Sequence, residues 1–170
     1  MTTTSQRNKK CQMHGEQGEQ TALEYLTAHA HGVKVDMING LLDMLIQDTH
    51  IEVKSCSDII VREGEHKHRH GRFTILSQQH EELVKTDGYY LFVVFSVSDL
   101  RLDEETYHLY DPDAPQRPLI KPVKIFMVRA RSMPYYHQVT WTTAQKYECS
   151  FNFRKLLVKE RKMTGSLEGE

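Results

Sequence analysis

Asp43, Glu52 and Lys54 are the residues whose types and spacing could do chemistry together. If residues 43 to 54 form a hairpin turning about Asp48-Thr49, residue 46 faces 51, 45 faces 52 and 43 faces 54. All three side chains then share one face, because strand side chains alternate. A one-residue slip would send Asp43 to the other side. Two carboxylates and a lysine on a face covered by neighbouring strands are costly to desolvate unless something offsets the cost. A divalent cation would do so: Mg²⁺ takes a carboxylate or two, retained waters and phosphate oxygens, and Asp43 with Glu52 supplies that kind of site. Lys54 would then orient or deprotonate an attacking water and offset charge on a pentacovalent phosphate. The plainer reading is a solvent-facing strand with a cross-strand ion pair between Asp43 and Lys54.

The tripeptide Glu-x-Lys is weak evidence by itself. It recurs at Glu65-His-Lys67 and Glu160-Arg-Lys162, neither of which follows an apolar strand carrying an aspartate. Context carries the weight.

The elements that must hold these residues can be read from periodicity. Residues 15 to 30 carry Ala22, Leu23, Leu26 and Ala30 at helical spacing, with Gly32 as a stop. At about 100° per residue, Glu19 lies on the centre line of that stripe and Glu24 points nearly opposite. Glu19 therefore faces the sheet and could hold a metal-bound water or a second ion, unless it is only a first-turn acid favoured by the helix dipole. Three short runs follow, at 33–38, 41–46 and 50–56, separated by the turn-like Asn39-Gly40 and Gln47-Asp-Thr49. Phe73–Leu76 reads as a strand, Ser77 as the N-cap of a helix to Lys85, and Tyr89–Phe95 as a central strand. Strands are also expected at Thr106–Tyr110 and Val123–Val128, around a Pro-rich loop at 112–122, and a basic helix from Ser150 to Lys162.

The segment from Gly64 to Gly71, if extended, places His66, His68 and His70 on one face and Lys67 and Arg69 on the other. Alternating histidines could ligate zinc, but the interleaved cations oppose it. A basic hairpin whose Lys67 and Arg69 grip backbone phosphates, with Arg72 close behind, or a plain exposed loop, fits the composition better. Arg154, Lys155, Lys159, Arg161 and Lys162 serve phosphate binding or simple solvation equally well. Tyr135, Tyr136 and Trp141 could stack on unpaired bases, although core packing is the commoner fate of aromatics.

Bulk properties bound the class. The 170 residues suit one domain with a real core; 39% hydrophobic and 26% charged content argues against disorder. We expect a leader at 1–13, a single domain at 14–162 and a flexible tail at 163–170. A net charge of −1 gives no global signal for a polyanionic partner, so a nucleic-acid surface would have to be local. Cys11, Cys56 and Cys149 are far apart and form no CxxC pair, which favours reduced thiols and a cytoplasmic location over a disulfide framework or a zinc ribbon. No apolar run approaches the length that spans a bilayer, and no membrane partner is expected.

The order Gly15-Glu-Gln-Gly-Glu19-Gln-Thr-Ala-Leu-Glu-Tyr-Leu26, then Leu42-Asp43-Met-Leu, then Ile51-Glu52-Val-Lys54-Ser resembles the PD-(D/E)XK nuclease superfamily. Within it the look is nearest to archaeal Holliday junction resolvases and related small nucleases. Leu42 stands where that pattern usually has proline. The resemblance implies an α/β restriction-endonuclease-like fold: a mixed sheet flanked by helices with an αβββαβ core and C-terminal additions. It also implies Mg²⁺- or Mn²⁺-dependent hydrolysis of DNA, duplex or branched, by a homodimer. It carries Glu19, Asp43, Glu52 and Lys54 as catalytic residues, with Asp43, Glu52 and the Val53 carbonyl on the metal. Gln78 or Gln79 would approach the scissile phosphate.

Overall fold

Residues 89–95 alternate between two cores, and that alternation organises the molecule. Leu91, Val93 and Phe95 pack into one apolar cluster and Tyr90, Phe92 and Val94 into another. A strand buried on both faces must belong to a sheet covered on both sides. The structure is a computed structural model and describes residues 4–62, 64, 67–106, 118–153 and 155. In chain order its helices are α1 (Thr4–His29), α2 (Ser77–Lys85), α3 (Val97–Thr106) and α4 (Trp141–Gln145). The strands are β1 (Val35–Met37), β2 (Met44–Ile46), β3 (Thr49–Ser57), β4 (Ile59–Ile60), β5 (Arg69–His70), β6 (Arg72–Thr74), β7 (Tyr89–Phe95), β8 (Lys124–Arg129) and β9 (Gln138–Thr140).

The main sheet has the order β1-β2-β3-β7-β8. β3 and β7 run parallel, and the other neighbours are antiparallel. Two-stranded pairs β4-β5 and β6-β9 stand beside it. α1 covers one face through Ala22 and Leu26, which are fully buried and pack in one cluster with Met44, Ile51, Val53 and Leu91; burying a leucine contributes roughly 1.5–3 kcal/mol. α2 lies over the other face through Leu83, and its His80 shares a 2.9 Å hydrogen bond with Tyr90 of β7.

Several expectations need correction. Residues 4–13, expected as a leader, are the first turns of α1; Met13 and Gln17 are buried there. The hairpin pairs Ile46 with Thr49, Leu45 with His50 and Met44 with Ile51, so its turn is Gln47-Asp48 and its register is displaced by two from the expected one. An even displacement preserves side-chain facing. Asp43 therefore still shares a face with Glu52 and Lys54, although it precedes β2 rather than lying within it. Ser77 is the first residue of α2, with Leu76 at the cap position and no side-chain cap bond. Thr106, expected to open a strand, ends α3; residues 107–110 lie outside the described residues, as do His66, the tail at 163–170 and all of the basic helix beyond Lys155. No helix among the described residues is long and apolar enough to cross a membrane.

Candidate active site

β2 stops pairing with β3 at the Met44–Ile51 pair, while β3 continues to Ser57 alongside β7. From Glu52 onward, one edge of β3 has no strand partner among the described residues. A backbone donor on such an edge needs a substitute acceptor, and Asp43 supplies it: Val53 N–H donates to Asp43 Oδ2 at 2.8 Å. The divergence of two strands thus brings an aspartate beside Glu52.

The other members arrive from both layers. Lys54 Nζ pairs with Glu52 Oε1 at 2.9 Å and donates to Gln79 Oε1 of α2 at 2.8 Å. Gln79 in turn donates to the Leu41 carbonyl at 3.1 Å, tying the stretch before Asp43 to α2. On the opposite side, α1 approaches β3 closely at Gly18, where a Cβ would come within 2.7 Å of Ser55 Cβ. Ser55 Oγ also donates to the His14 carbonyl at 3.2 Å. That contact sets Glu19 against the same opening. A cleft of about 450 Å³ is lined by Glu19, Asp43, Glu52, Val53, Lys54 and Gln79, together with Arg72 and Thr74 of β6.

Charge is concentrated and poorly solvated here. Glu52 is 2% exposed, and its Oε2 has no hydrogen-bond donor. Burial pushes its carboxyl up to about 7, against the lowering effect of Lys54 and with a further raise from Asp43. Lys54 compensates one oxygen of Glu52 and Val53 N–H one oxygen of Asp43, but Asp43 lies close enough to Glu52 to favour its protonated form. Glu19 is likewise raised, by burial first and then by Asp43 and Glu16. Both shifts come first from loss of water around the charged form and only then from like charges nearby.

Among the described residues, no group of three or more His, Cys, Asp or Glu side chains is clustered tightly enough to hold a metal ion. The donor set nevertheless fits Mg²⁺, which takes one or two carboxylates and fills its other positions with water and phosphate oxygens. The donor-less Oε2 is the observation that supports this fit: a cation would compensate a buried oxygen that the protein does not.

The expected residues divide clearly. Glu19, Asp43, Glu52, Val53, Lys54, Arg72 and Gln79 line one cleft. Gln78 is exposed on α2 and is not part of that lining; Lys67 and Arg69 are exposed on the arm carrying β5. His70 meets Trp141 edge-on at 5.5 Å, and Trp141 Nε1 donates to the Asp58 carbonyl at 2.7 Å, so that indole is a structural tie. Cys11 and His14 also line the cleft, and nothing in the sequence signalled them. They belong to the part of α1 whose buried positions are too polar to show an apolar stripe.

No curated protein and no solved structure matches the chain. A family model, described as a PD-(D/E)XK nuclease superfamily domain, matches residues 4–148. That span takes in α1, the diverging β2 and β3, α2 and the sheet to β8, and the chain belongs to the PD-(D/E)XK nuclease superfamily.

Proposed function

We propose that this protein is a metal-dependent endonuclease that hydrolyses phosphodiester bonds in DNA. The observation that carries the reading is the meeting of Asp43, Glu52 and Lys54 at the open edge of β3, with a buried Glu52 oxygen that lacks a donor. Asp43 and Glu52, joined by the Val53 carbonyl, would hold Mg²⁺ or Mn²⁺. When bound, that ion lowers the pKa of water and offsets charge developing on phosphate.

The chain's own residues perform the rest. Lys54 already donates to two acceptors, which fixes its amino group where it would orient the water and offset charge on the phosphorane. Gln79 holds Lys54, and Glu19 would accept a hydrogen bond from a water in the cleft. Arg72, exposed at the rim, would take a backbone phosphate, with Lys67 and Arg69 extending that contact along the arm. We further infer a homodimer acting in the cytoplasm on duplex or branched DNA.

A cleavage screen over plasmid, linear and four-way-junction DNA, with RNA alongside and Mn²⁺ or EDTA present, tests the reading. Cutting of DNA that requires the metal and disappears in Asp43→Ala and Lys54→Ala supports it; normal cutting by both variants overturns it. Discrete plasmid fragments would mark a site-specific enzyme, and symmetric junction cleavage a resolvase. Light scattering reports the dimer.

The Glu52–Lys54 ion pair favours a second reading, a DNA-binding scaffold in which the charged groups only satisfy one another. Calorimetry with Mn²⁺ separates the two: binding that depends on Asp43 and Glu52 belongs to the nuclease, and its absence to the scaffold.

A further inference from the structure

Gly15 lies in the interior of the 26-residue helix α1, where glycine is a poor choice. It loses more chain freedom on folding than alanine does and packs no side chain in return. Nothing else in the fold requires it there. Its backbone is not left-handed, so alanine could adopt the same conformation. A Cβ built at Gly15 meets no atom within 4 Å, so no neighbour in this chain demands the gap. Gly18 is the opposite case: a Cβ there would come within 2.7 Å of Ser55 Cβ, and packing against β3 accounts for it. Among the described residues, Gly32 and Gly64 also face open space, but both have left-handed backbones, and Gly40 lies outside any helix or strand.

The open space at Gly15 is the cleft, which it lines together with Glu19, Asp43, Glu52 and Lys54. Cys11, one turn earlier and exposed, continues the low surface. α1 packs into one core cluster and β6, through Phe73, into the other, so the cleft lies between these two elements. The β6 wall carries a cation and a hydroxyl, Arg72 and Thr74; the α1 wall at Gly15 carries no side chain at all. Glycine on the wall of a cleft lets a ligand come to van der Waals distance from the main chain. The Glu52 Oε2, buried and without a donor, is an independent sign that the cleft takes a ligand. A helix surface whose peptide groups are already paired offers nothing to read a base edge, whereas a sugar needs only room and a phosphate needs only the cation opposite.

We propose that Gly15 is the close-approach point for the sugar–phosphate backbone of the DNA strand being cut. A deoxyribose lies against α1 at Gly15, and a phosphate of the same strand faces Arg72 on the other wall. This rests on the nuclease reading for its ligand and deepens it: α1 recognises the backbone of the strand and leaves its bases unread.

The test is a size series, Gly15→Ala, Gly15→Leu and Gly15→Trp. Each variant is measured by thermal melting, by calorimetry with Mn²⁺, and by fluorescence anisotropy with a DNA duplex in EDTA at fixed salt. Gly15→Ala should melt at or above the wild-type temperature, because the space is open and alanine favours the helix. Gly15→Leu should weaken DNA binding at least about tenfold, and Gly15→Trp further, while Mn²⁺ affinity stays within about threefold of wild type. In cleavage assays the series should raise KM more than it lowers kcat. A lower melting temperature for Gly15→Ala would show that internal packing requires the glycine, and loss of Mn²⁺ binding in Gly15→Leu that it serves the carboxylates. DNA binding by Gly15→Leu within about twofold of wild type would show that no strand approaches α1 there. Each of these results overturns the proposal and leaves metal-dependent cleavage by the wild type, and with it the nuclease reading, intact. A wild type that binds DNA but cuts no substrate with Mn²⁺ overturns the nuclease reading instead; one that binds no DNA overturns both.

Discussion

Lys54 Nζ donates to Gln79 Oε1 across the gap between β3 and α2, and the amide group of the same glutamine donates to the Leu41 carbonyl. One side chain therefore sets both the lysine and the segment that delivers Asp43. Gln79→Ala should lower kcat about 10- to 100-fold with a smaller change in KM, because misplacing a reacting group by about 1 Å costs that much. Steady-state cleavage kinetics check it. A wild-type rate would mean that Glu52 alone holds Lys54.

Asp43 has two duties that substitutions can separate. An asparagine keeps an acceptor for Val53 N–H but loses the charge; alanine loses both. Asp43→Asn should melt near the wild-type temperature without cutting DNA, whereas Asp43→Ala should also lose about 1–3 kcal/mol for an unpaired backbone donor. Urea unfolding beside a cleavage assay distinguishes the two.

Glu52 makes stability depend on pH in an unusual direction. Its folded-state carboxyl is raised to about 7 from 4.5, so the folded protein holds a proton that the unfolded chain has released. Stability of the metal-free protein is thus greatest below pH 4.5, as far as this group is concerned, and falls by about 3 kcal/mol as pH rises through 7. Urea titrations in EDTA at pH 5 and pH 7.5 should show the fall. Glu52→Gln should remove it, and Mn²⁺ at pH 7.5 should restore stability to the wild type alone.

Gly18 and Gly40 form a matched pair. A methyl group at Gly18 meets Ser55 Cβ at 2.7 Å, whereas at Gly40 it meets nothing within 4 Å. Neither has a left-handed backbone. Gly18→Ala should cost about 1–3 kcal/mol through overpacking and depress cleavage by pushing α1 and Glu19 from β3; Gly40→Ala should change thermal stability little. Equal melting temperatures would show that α1 can yield at no cost.

The grouping of the proposed site residues was legible because two-residue alternation on β3 fixes Glu52 and Lys54 on one face whatever the turn does. The register was not, since Gln47-Asp48 and Asp48-Thr49 look equally turn-like and only Gln47, with φ of +53°, reveals the first. Parity rescued Asp43. The early turns of α1 escaped notice for another reason: their inward positions include Gln17 and Gly18 as well as Met13, and a stripe of such residues has no hydropathy period. Gln17 is satisfied by partners about a hundred residues away, donating to Asp103 Oδ1 and the Pro118 carbonyl and accepting from Ile120 N–H. No local pattern can announce bonds of that range.

The bare margin of β3 has a cost outside chemistry. An unpaired strand margin invites a strand from a neighbouring molecule, and proteins commonly guard such margins with charge. Asp43, Glu52 and Lys54 put such charge here, so the groups proposed to cut DNA would also discourage a foreign strand from adding to this margin. Neutralising them together would weaken both properties at once.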